Sequence, residues 1–571
     1  MNEDALEIKT PWLAYYPEWL PKHFEALKFN NLSDFVIQMC RTYRDRPAYT
    51  NFGSTLTFDD IDRKSSILAA YLQQKLGYQK GDRLAIMMPN LLQYPITLYA
   101  CFKAGIIAVN VNPLYTAREL EYQLRDADVR GIVIAENFAH TLADVCAHLP
   151  SLKDIIITQF GDELGWGKGM IVNFVVRYIK QLVPNYYFEQ SINYKHIFLS
   201  SELPFQAPEI DLDDIAVLQY TGGTTGIAKG AMLTHRNLLA NIQQVTYWVG
   251  KGIDKPGMIC ITPLPLYHIF CCTVNAMCLP SLGMHNVLIT NPRDTKSFVR
   301  TLKSYPFSVM TGLNTLFRGL LRSPNFKNLD FSHLRFVVSG GMPLDKGVAD
   351  EWQNVTGNVI IEGYGLTETS PIVTANLLYN EGFTNGIGYP VSETLVKICD
   401  ENGMPVETGA IGELWVKGPQ VMKGYWRQPQ ETEESLKDGW FKTGDMATMD
   451  ARGFCRLVDR KKDMVLVSGF NVYPSEVESV LNAHPDVLES AVIGIPYEKT
   501  GEAVKAFVVL KPEKKLTEEE LRHYARANLT GYKRPKFYEF RSELPKSNVG
   551  KILRRDLMRK EREKMQAPAA S

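Results

Sequence analysis

The hydrophobic pattern changes period at regular intervals along the first half of the chain. Leu84 to Met88 is a short apolar run, Leu91 to Ala104 has helical spacing, and Ile106 to Val111 is apolar again. Ala117 to Asp126 returns to helical spacing, and Gly131 to Ala135 reads as a strand. Strands alternating with helices predict βαβ units and a parallel sheet. Upstream, Leu32 to Tyr43 reads as a helix, and Thr55 to Phe58 as a short strand before a helix reaching Leu76. The alternation resumes with a helix after Thr234 and strands at Asn286 to Thr290 and Arg335 to Val338, so two layered α/β halves are expected. From Thr394 to Val416 the pattern becomes short strands with turns at Asp400-Glu401-Asn402-Gly403 and Glu407-Thr408-Gly409, a small β subdomain.

Asp459-Arg460-Lys461-Lys462-Asp463 is a charged run between two β-rich stretches, and a domain boundary is placed near Arg460. Beyond it a helix from Ser475 to Leu481, strands at Glu489 to Ile495 and Val504 to Leu510, and a helix from Thr517 to Leu529 predict a compact α+β unit. The charged tail from Arg559 is expected to fray. Trp166 to Pro184 is apolar, rimmed by Lys168, Arg177 and Lys180, and too short to span a bilayer. It reads either as a segment lying in a membrane interface or as a surface helix packed on its own domain.

Composition narrows the class. At 571 residues the chain exceeds what one hydrophobic core fills. Its 63 basic and 63 acidic residues balance, which offers no footprint for nucleic acid. Cysteines are scattered without a C-x-x-C pair, arguing against a zinc site or a disulfide framework and for a reducing compartment. The amino terminus lacks the basic start and apolar core of a secretory signal, so a cytoplasmic location is expected.

Candidate chemistry centres on Tyr220-Thr221-Gly222-Gly223-Thr224-Thr225-Gly226-Ile227-Ala228-Lys229-Gly230, a glycine- and threonine-rich loop between two strand-like runs. Glycines let backbone N–H groups approach phosphate oxygens, threonine hydroxyls donate, and lysine adds a mobile charge, so a nucleoside triphosphate is the natural guest. The Walker spacing fails, because Ala228 stands where the second glycine would fall. Alone, such a loop also reads as an ordinary turn. Glu362-Gly363-Tyr364-Gly365-Leu366-Thr367-Glu368-Thr369 combines an aromatic face suited to stacking on a base with Glu368, a carboxylate suited to the magnesium that accompanies a triphosphate. Asp445 follows a glycine turn in Phe441-Lys442-Thr443-Gly444-Asp445 and suits the two ribose hydroxyls; Lys551 follows a turn that holds its ammonium on a loop tip. Taken singly, these three segments also read as a loop, a turn residue and a surface lysine.

Taken together and in this order, these segments resemble the acyl-adenylate-forming superfamily, which includes acyl-CoA synthetases, luciferases and peptide-synthetase adenylation domains. The resemblance covers nearly the whole chain. The block from Asp438-Gly439-Trp440 to Asp459-Arg460-Lys461-Lys462 is similar to bacterial long-chain fatty acyl-CoA synthetases in particular, as are Asn90 to Pro95, Pro265 to Phe270 and Leu529 to Lys533.

The resemblance implies a fold with a large N-terminal domain (1–459) of layered α/β subdomains plus a small β subdomain, a hinge (460–464), and a small mobile α+β C-terminal domain (465–571). It implies that Thr221, Gly222, Gly223, Thr224, Thr225, Gly226 and Lys229 grip the β- and γ-phosphates of ATP, and that Glu368 binds Mg2+. Gly340, Gly341, Glu362, Gly363, Tyr364, Gly365 and Thr367 frame the nucleotide; Asp445, supported by Arg460, holds the ribose. His268 lines the wall between nucleotide and acyl pocket. Lys551, with Glu368, Thr225 and His268, forms the catalytic set. Lys462 is the hinge, and Ser468, Gly469 and Phe470 line a CoA channel.

The implied reaction activates a long-chain fatty acid to acyl-CoA through acyl-AMP, with ATP and CoA as co-substrates, at a protein that is homodimeric and peripheral on a membrane face. Apolar stretches at Cys271 to Met277 and Thr311 to Phe317 read as tunnel wall or as ordinary core. A ligase for medium-chain or aryl acids, an acyl-AMP ligase serving a carrier protein, and a non-catalytic fatty-acid-binding homologue are the alternatives; the extra segment expected of the second is missing between Gly453 and Asp463.

Overall fold

The computed structural model describes residues 10–24, 26–200, 204–221, 228–253, 255–547 and 551–566. The chain divides into two compact units, one formed by 1–396, 416–441 and 452–454, the other by 397–415, 442–451 and 455–571.

Two sheets build the first unit. In the nine-stranded sheet, Pro47–Asn51, His285–Leu288, Ile259–Thr262, Val309–Gly312, Phe336–Ser339 and Ile360–Gly365 lie side by side in parallel. Antiparallel strands close its edges: Ser54–Thr57 at one, Ile372–Ala375 and then Tyr389–Pro390 at the other. The seven-stranded sheet runs Ile192–Asn193, Asp154–Thr158, Gly131–Ala135, Arg83–Met87, Ile107–Asn110 and Ile215–Thr221 in parallel, ending on the antiparallel Lys229–Thr234. The alternating periods of the first half thus become the parallel sheets they predict. Between them sits Gln93–Ala104, a helix with every residue buried, the expected state of a helix apolar on all sides. Its one charge, Lys103, is satisfied by the Asp62 carboxylate at 2.6 Å and the Ser66 hydroxyl at 2.9 Å.

Short-range chemistry sets where helices start. Thr57, Thr116 and Thr234 each close a capping box, with Asp60, Glu119 and Asn237 as the reciprocal partners. Thr234 matters for the site, because it turns the strand that begins at Lys229 directly into the helix His235–Val249.

The second unit is centred on a sheet ordered Phe470–Val472, Val465–Val467, Gly501–Leu510, Val487–Tyr497, with Phe537–Phe540 also paired to Gly501–Leu510. Alternation along the two long strands sorts its cores. Val492, Val504, Ala506 and Val508 face the helices Pro474–Asn482 and Glu518–Asn528; Ala491, Ile493, Ala503 and Phe507 pack with Leu544 and Leu557. The tail corrects an expectation. Residues from Arg559 continue the helix Arg554–Gln566, held because Leu557 is fully buried and Glu561 takes an ion pair from Lys505 at 2.6 Å.

A second outcome concerns Trp166 to Pro184, which forms the helix Trp166–Phe174 continued by a π-helical turn Val175–Ile179. Its orientation is inverted. Asn173 receives the Gly161 N–H at 2.7 Å and donates to Gln159 at 2.8 Å, while Arg177 pairs with the buried Glu136. Trp166 is 75% exposed, Ile171 66% and Tyr178 63%, with Met170, Phe174 and Ile179 also outward. The helix is therefore docked by its polar groups and presents its apolar ones to solvent.

Candidate active site

The two strands that flank the glycine- and threonine-rich stretch in sequence are paired with each other. Ile215–Thr221 and Lys229–Thr234 are antiparallel, with Tyr220 opposite Gly230 and Thr221 opposite Lys229. Gly222, Gly223, Thr224, Thr225 and Gly226 lie outside the described residues. The exit is pinned, since Tyr122 donates its hydroxyl to the Ala228 carbonyl at 3.1 Å.

A segment from far along the chain lies against the second of these strands. Met232 N–H donates to the Gly424 carbonyl at 2.9 Å, and Trp426 N–H to the Gly230 carbonyl at 2.8 Å. This places Tyr425 between two groups named from the sequence. Its hydroxyl donates to Glu368 at 2.8 Å, and the Lys229 ammonium stands 5.3 Å from its ring centroid. Desolvation, then the Glu368 charge, raise the Tyr425 pKa, so it remains a donor at any ordinary pH. Lys229 itself pairs with Glu431 on the helix Pro429–Ser435. Nothing in the local sequence around Tyr425 or Glu431 announced these contacts.

The glycine-rich stretch from Glu362 is mostly strand rather than loop. Ile360–Gly365 pairs with Phe336–Ser339 on one side and Ile372–Ala375 on the other, and Thr367–Thr369 is a single 3-10 turn that carries Glu368. Tyr364 is buried in that strand. Gly365 is required by space, because a Cβ there would lie 1.9 Å from the Pro371 carbonyl oxygen. Gly340, just past the neighbouring strand, would bring a Cβ to 3.3 Å of the Gly363 oxygen, and Gly341 has φ +80°.

Glu362 accepts the Leu344 N–H at 3.2 Å and lines a narrow cleft whose other walls are apolar, Trp248, Phe270, Val274, Val338 and Ile372 among them. Desolvation lifts its carboxyl to about 7 against the pull of the Leu344 N–H. The stretches near Cys271 and Thr311 contribute only Val274 and Thr311 to this cleft, and Cys271, Cys272 and Phe317 belong to buried core. His268 precedes the helix Ile269–Thr273 and caps it, its Nδ1 accepting from Phe270 N–H at 3.3 Å.

In the second unit, register rather than a turn places the carboxylate chosen from the sequence. Asp445 on Trp440–Met449 lies directly opposite Arg460 on Cys455–Arg460, and the Arg460 guanidinium meets it at 2.8 Å. Asp445 is 4% exposed. Lys461 is fixed to Glu413 at 3.0 Å, and the side chain of Lys462 beside it is exposed, with partial desolvation lowering its pKa while Asp463 opposes that. Ser468 and Gly469, at φ 51° and 83°, make the tight turn between Val465–Val467 and Phe470–Val472. Phe470 stacks on Tyr532 at 4.8 Å.

Lys551 is fixed through its backbone: its N–H donates to Ser547 Oγ at 3.1 Å, and Lys546 bridges the next residue, Ile552. Its neighbours by charge are Arg460, Asp445, Arg554 and Asp463. Arg554, which sequence reading passed over, is the hub of this cluster. It reaches Glu478 at 2.6 Å, Asp463 at 3.2 Å and Asp459 at 3.8 Å, and Asp459 also accepts the Ser475 N–H at 2.6 Å. The spacing of Arg554 three residues after Lys551 was the available signal.

A metal that travels with a nucleotide fits this donor set better than a resident one. Among the described residues no group of three or more His, Cys, Asp or Glu gathers to hold an ion. Glu368 offers a single carboxylate, the number magnesium takes when phosphate oxygens complete its shell.

Comparison with known proteins agrees with these features. Residues 37–426 match the family model of AMP-binding enzymes, and residues 476–551 that of the AMP-binding enzyme C-terminal domain. The chain is 52% identical over 547 residues to the long-chain-fatty-acid–CoA ligase of Yersinia pestis, covering 96% of this chain and 97% of that one. The ligase of the same name from Bacillus subtilis is 40% identical, with 98% and 99% covered. Among solved structures, ATP-bound MatB from Rhodopseudomonas palustris superposes with a TM-score of 0.81 at 28% identity, covering 94% of this chain and all of that one. On matches of this length and identity, the chain belongs to the family of AMP-binding enzymes.

Proposed function

We propose that this protein joins long-chain fatty acids to coenzyme A in an ATP-dependent reaction that proceeds through an acyl-AMP and releases AMP and pyrophosphate. Near full-length identity to relatives of that activity carries the reading. A carboxylate resists nucleophilic attack, and conversion to a mixed anhydride with AMP removes that resistance. The acid oxygen attacks the α-phosphorus while Lys229 and the loop from Thr221 hold the departing phosphates. Asp445, oriented by Arg460, holds the ribose. Lys551 donates toward the oxygens on which charge builds. Mg2+, held by Glu368 with the phosphates, would neutralise charge on the polyphosphate. The apolar cleft beside Glu362 takes the first methylenes of the chain, each worth about 0.8 kcal/mol when buried. Division of labour between a domain of 1–459 and one of 465–571, turning at Lys462 so that Ser468 to Phe470 replace Lys551 for the thiol step, belongs to the same proposal. A homodimer rests on resemblance alone.

AMP release by the purified protein with ATP, Mg2+ and CoA, across straight-chain acids of about C6 to C18, tests the reading; successive methylenes should raise kcat/KM until the cleft ends. Turnover confined to short or aryl acids would overturn the long-chain assignment, and no AMP with any acid would overturn the chemistry.

We further propose that residues 166–182 seat on an anionic lipid surface, from which such acids are drawn. The outward apolar side chains include tryptophan and tyrosine, and between Glu163 and Glu189 the sequence holds no acidic residue, while Lys168 and Lys180 remain basic beside the Arg177 that Glu136 neutralises. No helix among the described residues is long and apolar enough to cross a membrane. Ile171→Glu with Phe174→Glu should lower cosedimentation with anionic vesicles by about tenfold or more, since each buried apolar side chain is worth roughly 1.5–3 kcal/mol. Unchanged pelleting would exclude the segment as the anchor.

A further inference from the structure

We infer that Glu431 is an internal competitor for the triphosphate: its carboxylate takes the position of a phosphate oxygen on Lys229 and must be displaced when the nucleotide binds. The inference rests on the loop from Thr221 to Lys229 being the phosphate-binding loop.

Lys229 is the residue at which that loop rejoins the sheet, and its side chain is only 12% exposed. Its ammonium is nevertheless committed to Glu431, 202 positions away, a carboxylate about one-third exposed. Glu431 is held by its surroundings rather than by chance. Its neighbour Thr432 accepts the Tyr425 N–H at 2.9 Å and donates to the Gln428 carbonyl at 2.9 Å. The segment containing Tyr425 is itself hydrogen-bonded to the Lys229 strand, and Ala231 bridges Tyr425 across it. One short stretch thus engages both charges assigned to the polyphosphate: Glu431 holds Lys229, and the Tyr425 hydroxyl holds Glu368.

Two consequences follow for a lysine that an anion already neutralises. An incoming γ-phosphate gains less from it than from a bare cation, so nucleotide affinity is lowered. Pyrophosphate, once formed, meets a carboxylate ready to recapture the lysine, so its release is favoured. Both effects act on binding and leave the bond-making step alone. Glu431 is accordingly a positioning residue.

The test is Glu431→Gln, which keeps the side-chain shape and removes the charge. Equilibrium ATP binding should tighten about two- to fivefold, the range for a partly exposed ion pair. The KM for ATP should fall with it at unchanged kcat, and product inhibition by pyrophosphate should strengthen by a similar factor. The gain should shrink toward unity at high salt, where the pair is screened, and should vanish in a Lys229→Ala background. ATP affinity that is unchanged or weakened in Glu431→Gln, while Lys229→Ala lowers it, overturns the competitor role alone. Lys229→Ala with undiminished ATP affinity overturns both this role and the phosphate-loop reading. A loss of kcat and melting temperature together in Glu431→Gln would show a purely structural role and overturn the inference.

Discussion

Replacement of Lys551 by alanine is expected to slow acyl-AMP formation by about 10²–10³-fold, the loss typical of one preorganised donor to charge that develops in a transition state. ATP–pyrophosphate exchange measures that half-reaction directly. Thioester formation from supplied acyl-AMP should be far less affected, because the mixed anhydride is already made. The expectation rests on where the lysine stands. Ser547 fixes its backbone, and Arg460, Asp445, Arg554 and Asp463 surround it by charge. Desolvation first, and then the Arg460 guanidinium, bring its pKa down to about 8. The side chain is exposed, so water moderates the desolvation.

A lowered lysine pKa brings the loss of its charge nearer to working pH. Adenylation should therefore decline as pH rises through about 8, while the thiol step follows a different profile. Lys551→Arg, which stays charged, should remove that alkaline limb even where its overall rate is low. Exchange in Lys551→Ala within threefold of the parent would dismiss the assignment.

The largest expected effect on stability is that of Arg554→Ala. Arg554 satisfies Glu478, Asp463 and Asp459 at once, and desolvation raises the Glu478 pKa while Arg554 opposes it. Removing one partner from a buried ion cluster costs about 3–5 kcal/mol, because the remaining charges stay desolvated without compensation. The deficit has a sign with pH. Without the guanidinium the folded-state pKa of Glu478 rises further above its unfolded value, so protonation relieves the cost at low pH and the cost returns as pH rises through that folded value. Urea unfolding of the full chain should show a larger loss at pH 8 than at pH 5, with Arg554→Lys intermediate because it lacks the fork that reaches several carboxylates. The variant should also lose adenylation, since the segment that carries Lys551 is anchored three residues away. A loss below about 1 kcal/mol would mean that the cluster is worth no more than a surface pair.

Much of this architecture was legible in one dimension because it follows from short-range periods. Apolar runs such as Val504 to Leu510 became strands with one face in each core, and the helices expected beyond Thr57, Thr116, Thr234 and Thr517 start there, where each threonine closes a capping box in the structure. The loop from Thr221 to Lys229, Glu368, Asp445 and Lys551 stand out as residue types and positions suited to phosphate, metal, ribose and charge stabilisation, whereas Arg460, His268, Lys462 and Ser468 to Phe470 come only with the family resemblance. Their settings were less legible. Asp445 is also a reasonable turn residue on local grounds, and only its register opposite Arg460 makes it a buried acceptor on a strand.

By itself, then, the sequence determined the alternation of elements, the two-sheet α/β body, the α+β unit and the chemical inventory, since each depends on neighbours a few positions apart. The tertiary structure decided which charges meet. Tyr425 reaches Glu368 across 57 positions and Glu431 reaches Lys229 across 202, separations at which no local pattern constrains pairing. It also decided which way the helix Trp166–Phe174 faces, because Asn173 and Arg177 find their partners only once Gln159 and the buried Glu136 are in place. A hydrophobic stripe specifies that a surface must be covered; whether protein or lipid covers it depends on where the polar groups of the same helix are satisfied.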